Sequence, residues 1–138
     1  MQQLTQEILR LCREYGECRV EVERMEEARR VKNALESVCS MARQRLDISD
    51  PALLLALLDA CEVTRDEGML QEVLDVVGRN LDRLAVSAES VKLLAYCYYY
   101  VEEEECVERA GRMLEELRKM GRGEEELADV ETILEELT

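Results

Sequence analysis

Six cysteines have the widest chemical range in this 138-residue chain, because thiols can bind metals, form disulfides or act as nucleophiles. No two of them form the close C-x(2–4)-C pair with which zinc sites usually present their ligands, and the chain contains no histidine. We therefore predict no metal and no cofactor, and expect the cysteines to serve as small apolar core residues. The sequence does not decide whether the two pairs that are close in sequence, Cys12–Cys18 and Cys97–Cys106, form disulfides. The cysteines are Cys12, Cys18, Cys39, Cys61, Cys97 and Cys106.

The missing histidine also narrows the enzyme classes that the chain could belong to. It removes the Ser-His-Asp and Cys-His arrangements and the Glu-x-x-His iron ligands of four-helix bundles. Gly111, Gly121 and Gly123 follow no predicted strand, and no G-K-[ST] motif occurs, so a phosphate-binding loop is not indicated. Carboxylate pairs are uninformative in a chain with 32 acidic residues. We predict that the protein is not an enzyme and has no catalytic residues.

The composition favours an all-α protein with an acidic surface. Hydrophobic residues make up 47% and charged residues 36%, while Phe and Trp are absent and there is one Pro. The net charge of −14 argues against nucleic acid, since binding to phosphates depends on Lys and Arg. The Arg-rich stretch 28–45 is the basic exception. It keeps open a regulatory or RNA-associated helical protein as the alternative function.

The location is predicted from what the sequence lacks. No run approaches the roughly 20 apolar residues that span a bilayer, and the start of the chain lacks the layout of a signal peptide. We expect a cytoplasmic protein without membrane contact. Arg far outnumbers Lys, and Glu is abundant. Abundant Glu–Arg ion pairs on helices are also typical of thermophilic proteins.

Helical periodicity and capping signals divide the chain into about seven helices in one domain, 1–138. Asp50 before Pro51 supplies an N-cap oxygen followed by a proline at the first helical position, and Ser87 supplies a second N-cap. Gly residues after position 120 signal a helix end. The segment 18–25 alternates like a strand but has no partner strand, so it is interpreted as helix or lead-in. We expect helix pairs over 3–46, 50–84 and 87–120, and a last helix over 124–137.

Residues 50–86 and 87–123 have nearly the same pattern, 37 residues apart. Each contains an apolar helix, a short acidic break and a second, amphipathic helix. Periods of this length are typical of stacked helical pairs, in which one repeat cannot bury its own apolar face. The last helix, with Leu127, Val130, Ile133, Leu134 and Leu137 on one face, then caps the open end of the stack.

This pattern resembles the tetratricopeptide repeat. Ala95, Tyr98 and Ala110 take its small, ring and small positions, and the acidic "EEEE" (102–105) lies where the turn belongs. The 50–84 unit matches less well, the period exceeds the usual of about 34 residues, and Gly111 falls within a helix. The resemblance implies a right-handed stack of antiparallel helix pairs with a C-terminal capping helix. An irregular helical bundle is the alternative.

The resemblance also implies a function, because the first helices of such pairs line a groove that holds a partner segment. In this register the groove positions are Leu55, Asp59, Glu62, Lys92, Tyr96 and Tyr99. Leu55 and Asp59 do not fit a clamp for a terminal carboxylate, so an amphipathic or basic protein segment, or self-association, is expected. Tyr is common at interface hot spots. We expect a non-catalytic protein–protein interaction module: an adaptor, a chaperone or a subunit of a larger complex.

Overall fold

A computed structural model describes residues 2–121 and 124–137, and all of the regular structure in these residues is helical. The all-α prediction is therefore confirmed. Two single-turn 3-10 segments lie at Val22–Arg24 and Leu81–Arg83. The α-helices are α1 (Gln2–Cys18), α2 (Met25–Arg43), α3 (Pro51–Thr64), α4 (Glu67–Arg79), α5 (Ala88–Val101), α6 (Glu104–Lys119) and α7 (Glu124–Leu137).

The two predicted N-caps are confirmed, and they fix the starts of α3 and α5. The Leu53 N–H donates to Asp50 Oδ1 at 3.2 Å, with Pro51 at the first helical position. The Ser90 N–H donates to Ser87 Oγ at 3.1 Å. Because these side chains satisfy backbone donors that the first turn leaves unpaired, the sequence alone located both helix starts.

Other predicted boundaries were wrong by a few residues. α4 ends at Arg79 rather than near 84. After α4, the Asn80 N–H bonds to Val77 O and a 3-10 turn follows. α2 ends at Arg43 rather than at 46, since the next segment forms an Asx-type turn in which the Ser49 N–H donates to Asp47 Oδ1 at 3.0 Å.

The chain divides into two compact units, and Met1–Val76 forms the first. α1 packs against both α2 and α3, and α2 also contacts α3. Arg19, directly after α1, donates from Nη1 to Val63 O at 3.1 Å. The C-terminal ends of α1 and α3 therefore lie side by side, and the two helices run in the same direction. The fully buried side chains at the centre of this unit include Ile8, Leu35, Leu53, Leu54 and Leu57.

Val77–Thr138 forms the second unit, in which α5 packs against α6 and α7, and α6 also contacts α7. Glu102 has a φ of 54°, and only it and Glu103 connect α5 to α6, so the chain reverses direction there. Gly121, with a φ of 69°, follows the end of α6 as predicted, whereas Gly123 lies outside the described residues. The prediction of a single domain stays a prediction.

The predicted core face of α7 is confirmed for its first half. Leu127 and Val130 are buried, while Ile133 and Leu134 are only half-buried. The side chain of Leu137 lies outside the described residues. α7 therefore covers part of α5 and α6 with its N-terminal half and leaves apolar surface toward its end.

Candidate functional site

The six cysteines are all free and all buried, which confirms their interpretation as core residues. Cys12, Cys39 and Cys61 come from three different helices of the first unit, and Cys39 contributes to the raised pKa of the other two thiols. Burial, aided by acidic neighbours, raises the pKa of Cys12 and of Cys61 to about 12 and that of Cys39 to about 11. Because the thiolate is the nucleophile, these thiols are unreactive at neutral pH.

The second unit repeats this arrangement with two thiols. Burial, together with the neighbouring Cys106, raises the pKa of Cys97 to about 12. Within residues 2–121 and 124–137, no group of three or more Cys, Asp or Glu side chains has the geometry to hold a metal ion.

Leu55, Asp59 and Glu62 lie at positions i, i+4 and i+7 of α3 and so share one side of that helix. We call this set the acidic face. Leu55 is half-buried, and both carboxylates are exposed. The pKa of Asp59 is nevertheless raised, first by desolvation and then by the charge of Glu62. Two neighbouring carboxylates that repel each other in a partly desolvated setting favour the approach of a cationic group.

Lys92, Tyr96 and Tyr99 have the same spacing on α5, and we call this set the tyrosine face. Tyr99 is 62% exposed and Tyr96 is 37% exposed, whereas Lys92 is half-buried. Tyr99 meets Tyr100 edge-to-face, with ring centroids 5.2 Å apart and ring planes at 82°. This contact restricts the Tyr99 ring while leaving most of its surface open to solvent.

The small and ring positions of the predicted repeat differ in burial. Ala95 and, on α6, Ala110 have no exposed surface, and Tyr98 is half-buried. Four tyrosines lie close together in the sequence, at 96 and 98–100. Tyr96 and Tyr99 are exposed on the tyrosine face, whereas Tyr98 and Tyr100 are half-buried. The acidic and tyrosine faces belong to different units.

Two open grooves between α1 and α2 were missed by sequence reasoning. The larger, of about 740 Å³, has Leu4, Val38 and Met41 among its lining residues. The smaller, of about 390 Å³, lies between the end of α1 and the first half of α2. The signal that pointed toward them was the Arg-rich stretch 28–45, which contains Arg29 and Lys32 of the smaller groove.

One arginine of the Arg-rich stretch 28–45, Arg43, is paired with acidic side chains. Arg43 donates to Glu72 through Nε, at 3.0 Å, and through Nη2, and its Nη1 lies 3.4 Å from Asp66 Oδ2. These contacts tie α2 to α4 within the first unit and neutralise one of the cations on which the RNA-associated alternative depends. Arg29, Arg30 and Arg45 stay exposed.

Comparison with known proteins gives no relative. No family model matches the chain, and neither a curated protein nor a solved structure matches it. Among the described residues, none of the helices combines the length and the apolar character needed to cross a bilayer.

Proposed function

We propose that this chain is a non-catalytic protein–protein interaction module that binds a segment of a partner protein on its tyrosine face, and that the acidic face, in the other unit, is a second binding surface. The observation that carries this proposal is the exposure of Tyr96 and Tyr99 on one side of α5. The other apolar side chains of that helix are mostly buried, including Val91, Leu93 and Leu94. Exposed Tyr rings at helical spacing are suited to binding, since they bury large areas at small entropic cost.

The packing within each unit supports a tetratricopeptide-like stack of helix pairs. In the first unit α1 contacts its pair partner α2 and the next helix, α3, which runs parallel to α1. In the second, α5 contacts its pair partner α6 and the next helix, α7. A helix pair followed by a third helix that packs on it is what a right-handed repeat stack requires. The capping role of α7 is part of this proposal.

The charges define the chemistry of the partner. Asp59 and Glu62 on the acidic face favour a cationic group, and the tyrosine rings favour apolar or cationic groups. An amphipathic segment with Lys or Arg beside its apolar residues therefore fits better than an acidic one. Six unpaired thiols support a cytoplasmic location, where thiols are kept reduced.

Affinity capture with the purified chain tests the proposal. Lysate proteins captured by the wild type are quantified against those captured by Tyr96→Ala/Tyr99→Ala and, separately, by Asp59→Lys/Glu62→Lys. We expect a defined set of proteins to be lost at least tenfold in each variant and kept by Ser37→Ala, an exposed change on α2. If every variant still captures the same proteins, the proposed binding role of both faces is refuted. Capture of RNA instead of protein would favour the alternative function.

A further inference from the structure

A basic groove lies in the first unit, between the C-terminal part of α1 and the N-terminal half of α2. Its volume of about 390 Å³ falls in the range of sites that hold ligand groups. Buried Ala28 and the partly exposed Tyr15 and Met25 supply apolar surface. We define the basic groove by the residues that the argument uses: Tyr15, Arg19, Met25, Arg29 and Lys32.

The charge of this groove is opposite to that of the chain as a whole. The chain has a net charge of −14, yet Arg19, Arg29 and Lys32 line the groove with Glu36 as the one acid. Arg29 makes no ion pair with any described residue, and Lys32 Nζ is 4.0 Å from Glu36. By contrast, Arg24 just outside the groove is held by two glutamates, Glu21 and Glu27. Two of the three cations, Arg19 and Arg29, thus form no ion pair with a described residue, although acidic residues are abundant.

Arg19 provides a fixed cation at one end of the groove. Its Nη1 donates to Val63 O at 3.1 Å, and its guanidinium lies 5.8 Å from the centre of the Tyr15 ring. A carbonyl and an aromatic ring orient the guanidinium without neutralising it. The Tyr15–Arg19 pair therefore offers an apolar surface next to a positioned positive charge.

The start of α2 adds apolar surface next to these cations. Arg24, at the N-cap, donates to the Glu27 carboxylate in the first turn of the helix, and Glu26 is a second acid in that turn, so the charges at the helix start are balanced. Met25 opens the helix and is 59% exposed, and Val20 and Val22 precede it with most of their surface in solvent. Exposed apolar side chains therefore precede and open the helix that carries Arg29 and Lys32.

We propose that the basic groove binds an acidic amphipathic segment of a partner protein. Carboxylates of that segment pair with Arg29 and Lys32, and its apolar side chains lie against Tyr15 and Met25. A protein segment fits better than nucleic acid, because the net charge of −14 repels a long polyanion whereas a short segment interacts mainly within a Debye length of about 8 Å. This surface is distinct from the two faces of the proposed function and has the opposite charge preference.

A defined peptide tests this proposal. The probe is a fluorescein-labelled peptide with the sequence of residues 124–137, EEELADVETILEEL, which combines acidic and apolar residues at helical spacing. Its anisotropy is titrated with the full chain at moderate salt. We expect saturable binding that weakens at least tenfold for Arg29→Glu/Lys32→Glu and is unchanged for Arg13→Glu, an exposed charge reversal on α1. A peptide with Gln or Asn at every acidic position should also bind at least tenfold more weakly.

Three results would overturn the proposal: no binding of the peptide, equal binding by Arg29→Glu/Lys32→Glu, or tighter and groove-dependent binding of a labelled 15-nucleotide poly(U). Arg29→Gln/Lys32→Gln replaces the reversal variant if circular dichroism shows loss of helix. Tyr96→Ala/Tyr99→Ala must keep the peptide affinity of the wild type. That control separates failure of this proposal from failure of the proposed function.

Discussion

Arg43 and Glu72 form a two-pronged ion pair between α2 and α4, in which Nε and Nη2 of the guanidinium each donate to one carboxylate oxygen. Asp66 joins them from the other side: its Oδ2 faces Arg43 Nη1, while its Oδ1 accepts the Met69 N–H at the start of α4 at 3.0 Å. One guanidinium therefore contacts both the residue before the first turn of α4, Asp66, and a residue in its second turn, Glu72. A bidentate Arg–carboxylate pair of this kind is stronger and more specific in geometry than a single hydrogen bond at the surface.

Breaking this pair should weaken the first unit modestly and change its response to acid. Arg43 holds the pKa of Glu72 below its ordinary value, chiefly through the hydrogen bond. The stabilisation is therefore present above a pH of about 4.3 and is lost as the pH falls through the lower, folded-state pKa. We expect Glu72→Gln to reduce the free energy of unfolding at pH 7 by about 1 kcal/mol or less, since the pair is partly exposed.

Urea unfolding at pH 7 and at pH 3 measures this effect. The difference in the free energy of unfolding between the wild type and Glu72→Gln should be smaller at pH 3 than at pH 7. Lys32→Met, which disrupts the looser contact with Glu36, serves as the control and should change stability less. A gap that is the same at both pH values would contradict the assigned role of the pair.

Two glycines should respond to alanine in opposite directions. Gly111 lies within α6, and a Cβ built there meets nothing within 4 Å, so its flexibility serves no close helix approach. Gly111→Ala should therefore raise the stability by about 0.5–1 kcal/mol. Gly121 has a φ of 69°, where a side chain is strained, so Gly121→Ala should lower it by about 1 kcal/mol. Thermal unfolding followed by circular dichroism compares the two, and shifts of the same sign would contradict this reading.

How much the sequence could predict depended on whether a signal was local. Asp50 and Ser87 predicted helix starts correctly, because an N-cap acts on backbone donors only three residues away. The end of α2 at Arg43 could not be predicted, since it depends on a turn at Asp47 that competes with helical bonding. The same applies to the candidate sites. Helical spacing grouped Tyr96 with Tyr99, whereas the basic groove joins Tyr15 to Arg29 across two helices, so the Arg-rich stretch 28–45 indicated only one of its two sides.

The buried thiols predict alkaline sensitivity together with chemical inertness. Burial raises the pKa of Cys12, Cys61 and Cys97 to about 12 in the folded protein, against about 8.5 in an unfolded chain. Between these values the unfolded chain releases protons that the folded protein retains, so stability falls as the pH rises. The cysteines should also resist alkylation until the chain unfolds.

Urea unfolding at pH 7.5 and at pH 10, in the presence of a reductant, measures the first effect, and mass spectrometry after iodoacetamide treatment at pH 8 measures the second. We expect a lower midpoint at pH 10, and no modified cysteine without denaturant but six with it. Stability that rises with pH, or rapid labelling of the folded protein, would contradict the burial of these thiols.

Photo-cross-linking from position 99 tests the central claim, that the tyrosine face binds a partner protein, most directly. The Tyr99 ring is replaced by benzoylphenylalanine, and the same group at Ser37, an exposed position on α2, is the control. After irradiation in native lysate, we predict a discrete cross-linked protein from position 99 that is absent from position 37 and is reduced by adding unlabelled wild-type chain. No discrete product from position 99, or the same product from both positions, would contradict the proposed function.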